Sequence, residues 1–224
     1  MPKKKIISDK AKEIIERKTK KKNEKQLKAI VVFMMVIIAA ILLSYWLAIE
    51  MKKFEFAGLT FTKTKSGSTI FYVAKLPLKD IFGEVIYKLP VYIREDPRKL
   101  ARINITDKII LTKDTTITAA PGSLRCEDSM LATTTLAVFL QKTASNINLA
   151  IGTLNKTEAK QEKRKYVTCD SPQGNAVIVF QESNSSTIEK KNDCYILNIA
   201  NCEIMNVTER FMLGWYAHSN GKKI

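Results

Sequence analysis

Few residues in this chain have the types and spacing that chemistry requires, and the first are four cysteines. Cys126, Cys169, Cys194 and Cys202 form an even set confined to the C-terminal half. Such a set reads as two disulfides in an oxidising compartment, with four buried free thiols as the alternative. If Tyr195 to Ala200 is extended, Cys194 and Cys202 stand about 26 Å apart at ~3.3 Å per residue. A bridge needs Cα atoms within about 7 Å. Cys194–Cys202 is therefore disfavoured, and with it the complementary Cys126–Cys169. Of the two patterns left, Cys169–Cys202 with Cys126–Cys194 is preferred and the other stays open. No C-x-x-C pair suggests a zinc site, and neither metal nor cofactor is expected.

Acid–base chemistry has little to work with. The single histidine, His218, follows a terminal helix, where side chains are seldom held for catalysis. No H-E-x-x-H, G-x-S-x-G, Walker A or G-x-G-x-x-G pattern occurs. No catalytic residue is assigned. A hydrolase here would have to use carboxylates alone, and a deep pocket with two facing acids would mark it. Glu127-Asp128 sits at a helix start, where the helix dipole stabilises carboxylates. Arg94, Glu95, Asp96, Arg98 and Lys99 surround Pro97, which holds Asp96 extended and makes a charged turn. That turn is the candidate interaction patch. Four sequons, at Asn104, Asn155, Asn184 and Asn206, are candidate glycosylation sites.

The elements that carry these residues read as an α/β (α+β) fold. It is a mixed-sheet domain with about three helices, preceded by one transmembrane helix. Phe54 and Phe56, then Leu59 and Phe61, alternate with polar residues, and Thr69–Val73 follows a Lys-Ser-Gly turn. Val85–Tyr87 and Val91–Ile93 are two strands interrupted by Pro90. Lys108–Leu111 and Thr115–Thr118 complete a β-rich half. Beyond it, helices are predicted over Asp128–Lys142, with Leu131, Leu136, Phe139 and Leu140 near one face, over Asn155–Arg164, with Asn155 and Glu158 spaced as a capping pair, and over Glu203–Ala217. Strands are predicted over Ile147–Ile151, Tyr166–Thr168, Ala176–Phe180 and Cys194–Ala200. In the last helix Ile204, Val207, Phe211 and Trp215 share the buried face and Asn206 points away from it. Asn184 falls in a polar loop.

Ala29 to Ile49 is an uncharged run of 21 residues, the length that spans a hydrocarbon core of about 30 Å. It exceeds a cleavable signal's apolar stretch, its distal SYWLAIE offers no small-x-small site, and no cysteine stands at its end as a lipoprotein processing site would require. It reads as an uncleaved signal anchor. Residues 1–28 carry 12 Lys/Arg against 4 Asp/Glu, a net of +8 out of +15 for the chain. The positive side stays in the cytoplasm. Three regions follow: a basic cytoplasmic tail (1–28), the anchor (29–49) and an extracytoplasmic globular domain (50–224). In the tail, Ile6–Lys28 can form a helix, and Lys20-Lys21-Lys22 suits anionic lipid headgroups. The lysines of the outer domain are scattered, so no specific nucleic acid is expected there. The expected function is a non-enzymatic surface domain that binds an envelope protein or glycan. The alternatives are a membrane-tethered carboxylate hydrolase and an accessory subunit of a membrane complex.

Five segments of the outer domain add a resemblance: Phe54–Phe61, Arg94–Lys99, Cys126–Ser129, Tyr166–Asp170 and Cys194–Glu203 (CYILNIANCE). Together they resemble an uncharacterised family of single-pass membrane proteins from small-genome archaea. The resemblance implies an archaeal host, a surface location and structural cysteines. It implies no activity, and the Lys-rich tail is not part of it.

Overall fold

A long apolar run can satisfy its backbone away from water only by coiling into a helix. In the computed structural model this run lies in helix α1, Lys25–Leu47, whose mean hydropathy is 2.7. At 1.5 Å per residue its 23 residues reach about 35 Å, enough to cross a membrane once. The structure describes residues 25–28, 30–47, 50, 52–79, 82, 84–120, 123, 125–143, 147–169 and 175–222. The tail helix expected over Ile6–Lys28 lies outside them except for its last turn, as do Ala48 and Ile49. Helix α1 belongs to a unit ending at Lys52, and a second unit spans Lys53–Ile224.

The second unit begins as an antiparallel meander of β1 (Lys53–Phe56), β2 (Leu59–Ser66), β3 (Thr69–Lys79) and β4 (Val85–Ile93). Ala57 and Gly58, both at positive φ (53° and 74°), form the two-residue turn that matches the strand twist. Leu59, Phe61, Ala74, Leu76, Leu89, Val91 and Ile93 are buried on one face. The two strands expected on either side of Pro90 are one. Strand β4 is at the edge of the sheet, where a missing N–H need not break the ladder.

After the one-turn helix α2 (Pro97–Leu100) comes a seven-stranded mixed sheet in the order β5-β10-β11-β9-β6-β7-β8. Its strands are β5 (Asn104–Ile105), β6 (Asp114–Ala119), β7 (Asn148–Thr153), β8 (Lys165–Tyr166), β9 (Ala176–Glu182), β10 (Thr187–Lys191) and β11 (Cys194–Ile199). Strands β11, β9, β6, β7 and β8 are mutually parallel, and β10 runs antiparallel to β11. The crossovers are α3 (Ser129–Thr143) between β6 and β7, and the short α4 (Lys156–Gln161) between β7 and β8. Helix α5 (Ile204–Ser219) closes the chain.

Helices α3 and α5 connect the two sheets through one continuous core. Helix α5 uses two faces. Phe211 meets Tyr195 of the large sheet edge-on at 5.9 Å, while Met205, Glu209 and Met212 face a groove walled by β4. Ile204, Val207 and Phe211 are buried as the pattern predicts, but so are Thr208, Glu209 and Arg210. A helix packed on two sides has no wide polar face to spare.

Lys108–Leu111, expected as a strand, joins no sheet. Side chains satisfy its backbone instead: Ile109 N–H donates to His218 Nδ1 (3.0 Å) and Ile110 N–H to the Tyr195 hydroxyl (2.8 Å). The Tyr195 hydroxyl in turn donates to the Ile110 carbonyl at 2.7 Å.

Candidate functional site

The cysteines form two disulfides, Cys126–Cys202 and Cys169–Cys194, with Cα separations of 5.5 and 5.4 Å. This corrects the preferred pairing. Cys194 and Cys202 do lie at opposite ends of β11, as the spacing argument required. Each then bonds the cysteine that the fold delivers to its end. The chain leaving β8 must return to the start of β9, which brings Cys169 into the cluster of Val167, Val177, Val179 and Cys194. Cys202 meets Cys126 at the approaches to α5 and α3.

The side chains of the charged turn, the candidate interaction patch, are tied to one another and to α3. Asp96 caps α2 by accepting from Arg98 N–H and binds the Arg98 guanidinium through both carboxylate oxygens. That guanidinium holds the Asp96 carboxyl below its ordinary range and lies 4.2 Å from the Phe54 ring centre. Lys99 pairs with Glu95 (3.4 Å) and Arg94 with Asp128 (3.2 Å). So all five residues have partners within the domain. Asp128, at the start of α3, makes the tie to that helix.

Beneath the turn lies a site that the residue patterns did not reveal. Glu209 Oε1 accepts from Arg94 N–H at 2.7 Å and Oε2 from Glu95 N–H at 3.3 Å. Burial raises its pKa to about 7, against the smaller opposing pull of those hydrogen bonds and of Arg94. The sequence signal was an acidic–basic pair inside an apolar helix. Arg210 donates from Nε to the Ile103 carbonyl at 3.0 Å, and burial lowers its pKa.

Glu209 and two methionines, Met205 and Met212, line a groove of about 510 Å³ between β4 and one face of α3. Its walls carry exposed apolar side chains: Tyr87 (55%), Tyr92 (58%), Leu131 (41%) and Val138 (42%). Arg94 lies toward the start of α3, and Lys142 in its last turn. Of the charged-turn residues, only Arg94 lines this groove.

A second cleft, of about 750 Å³, lies on the other flank of α3, at the carboxyl ends of β6 and β7. Ile117, Ile151 and Phe180 supply apolar lining, and Asn155, Glu158 and Arg164 supply polar groups. Asn155 caps α4 as expected, accepting from Thr157 and Glu158 N–H. Glu158 does not complete a capping box; it accepts from the Thr153 hydroxyl (3.0 Å) and faces Arg164 (3.7 Å).

His218 is occupied structurally, its Nδ1 accepting from Ile109 while burial, Lys108 and Arg210 lower its pKa. Asn104, Asn155 and Asn184 are exposed and Asn206 is half-buried. Among the described residues, no three His, Cys, Asp or Glu side chains converge as a metal-ligand set. Neither family models, nor curated proteins, nor solved structures yield a match to this chain.

Proposed function

We propose that this is a single-pass membrane protein with its basic tail in the cytoplasm and its Lys53–Ile224 unit outside, where that unit acts as a non-enzymatic recognition domain. The apolar helix, the flanking charge and the two disulfides support this topology. The observation that carries the recognition reading is the groove between β4 and α3. Clustered exposed apolar and aromatic side chains on a folded domain mark an interaction surface. Arg94 is paired with Asp128, so Lys142 is the cation that favours a segment of an envelope protein carrying an acidic residue beside its apolar anchors. The archaeal affiliation, glycans on Asn104 and Asn184, and binding of the tail to anionic lipid belong to the same proposal.

The test is a photo-crosslinking residue at Val138 in the groove, compared with one at exposed Ile110. Crosslinking in intact cells should give one discrete adduct from Val138 and none from Ile110. Equal, diffuse labelling from both would defeat the assignment.

One observation favours a second reading, a carboxylate hydrolase. Glu127 and Glu158 line the same cleft. Turnover of a glycoside or ester that disappears in Glu158→Gln would establish it. Ligand binding without turnover would reject it.

A further inference from the structure

We propose that the cleft beside α3 is a separate binding site for a neutral polyhydroxylated ligand, one or two sugar units of a glycan. This inference is independent of the groove on the other flank of the helix.

From β6 the chain steps outward to β7 and then β8, whereas β9 returns to the opposite side of β6. The order of strands thus reverses at β6, and crevices at the carboxyl ends of parallel strands beside such a reversal are where open α/β sheets bind ligands. The cleft occupies that position, lined by Ala119 and Ala120 at the end of β6, Thr153 at the end of β7 and Phe180 in β9. Packing at its base is too tight for a side chain at Gly152. A Cβ there would stand 2.7 Å from Thr116 Cγ2 and 2.8 Å from the Lys165 carbonyl oxygen.

Buried hydroxyls are rarely left without partners. Among the described residues three are: those of Thr116, Thr118 and Ser129. Two of the three, Thr118 (4% exposed) and Ser129 (5% exposed), line this cleft. Ser129 is the first residue of a 15-residue helix. Its backbone has a partner, since its N–H donates to the Cys126 carbonyl, but its hydroxyl has none.

The lining selects the class of ligand. Glu127 and Glu158 outnumber Arg164, so the cleft disfavours phosphates and carboxylates. Asn155 caps α4 through Oδ1 and Glu158 is held by Thr153 and Arg164, which leaves the Asn155 amide NH₂ and the second lone pairs of the Glu158 carboxylate to bond ligand hydroxyls. Ile151, 68% exposed, offers an apolar surface for the C–H face of a sugar ring. The volume is within the range of small-ligand sites.

The test uses the full chain in lipid nanodiscs and saturation-transfer NMR. The probes are a neutral hexose disaccharide and an N-acetylhexosamine disaccharide, each at about 10 mM, with AMP for comparison. One or both saccharides should bind and AMP should not. Ile151→Trp, which fills the cleft from an exposed position, should abolish binding. Ser129→Ala should weaken binding about tenfold, the worth of one hydrogen bond, while leaving the melting temperature unchanged or higher, because the hydroxyl it removes has no protein partner. Ser129→Ala also serves if the tryptophan variant fails to fold. The proposal is overturned if neither saccharide binds, if binding survives both substitutions, if AMP binds in preference, or if Ser129→Ala destabilises the free protein.

Discussion

Raising the pH from about 5 to about 8 should destabilise the Lys53–Ile224 unit through one side chain, Glu209. Its folded-state pKa is about 7, against an ordinary value of 4.5. Between those values the unfolded chain has released the proton and the folded chain still holds it. The unfolded state therefore binds fewer protons, and stability falls as pH rises, with the loss complete above about 7. A gap of about 2.5 pH units corresponds to about 3 kcal/mol as an upper bound. At ~2–4 °C per kcal/mol for a domain of this size, the melting temperature should drop by about 6–12 °C. His218 acts in the opposite direction. Its pKa is lowered, so its contribution grows as pH rises toward 6.5. Asp96, also lowered, loses its contribution only below about pH 4, outside the window. The comparison that isolates Glu209 is therefore wild type against Glu209→Gln. The amide can accept from only one of the Arg94 and Glu95 N–H groups and turns its own NH₂ toward the other. This adds a pH-independent penalty of about 1–3 kcal/mol. The assay is thermal unfolding of the full chain in detergent across the pH range. It is followed by tryptophan fluorescence in a Trp46→Phe background, so that the signal comes from Trp215, which packs edge-on against Phe139. The wild-type minus variant difference should decline through pH 5–7 and then level. Parallel profiles would refute the buried, protonated Glu209.

Opening Cys126–Cys202 alone, with a separation of 76 residues, should cost about 4.5 kcal/mol by loop entropy, and Cys169–Cys194, with 25, about 3.5. Paired Cys→Ser variants in denaturant titrations would show this order, and the reverse order would count against the loop argument. Gly152→Ala must displace backbone, because the Lys165 carbonyl stands where its Cβ would go, and should cost about 1–3 kcal/mol in chemical denaturation. Tyr195→Phe removes both hydrogen bonds to Ile110. It should speed amide exchange across residues 106–113, and unchanged protection there would show that the loop is held by other contacts.

What the sequence made legible was set by how many neighbours each element has. Strands β1–β3 face the core on one side, so alternation at Phe54, Leu59 and Phe61 was enough to place them. Helix α3 packs Leu136, Phe139 and Leu140 inward as its spacing suggests, but Leu131, expected on the same face, is 41% exposed in the groove beside β4. Strand β10 was missed because only Ile188 in Thr187–Lys191 is buried, and its hairpin depends on Asn192 at positive φ. Lys108–Leu111 looked like a strand because its residues favour one, but the Tyr195 and His218 side chains took the place of a neighbouring strand. Distance along β11 ruled out one disulfide pattern of three; choosing between the others required knowing where the chain returns after β8. Glu209 and both clefts depend on α5 and α3 standing among other elements, and periodicity cannot reveal that.

The central claim is that the Lys53–Ile224 unit faces the outside while the basic tail stays within. A membrane-impermeant amine reagent applied to intact cells, with labelled lysines mapped by mass spectrometry, tests it directly. The exposed Lys63, Lys113 and Lys190 should be labelled in intact cells, and Lys20, Lys21 and Lys22 only after the membrane is opened. Labelling of the tail in intact cells, with the domain lysines protected, would contradict the account.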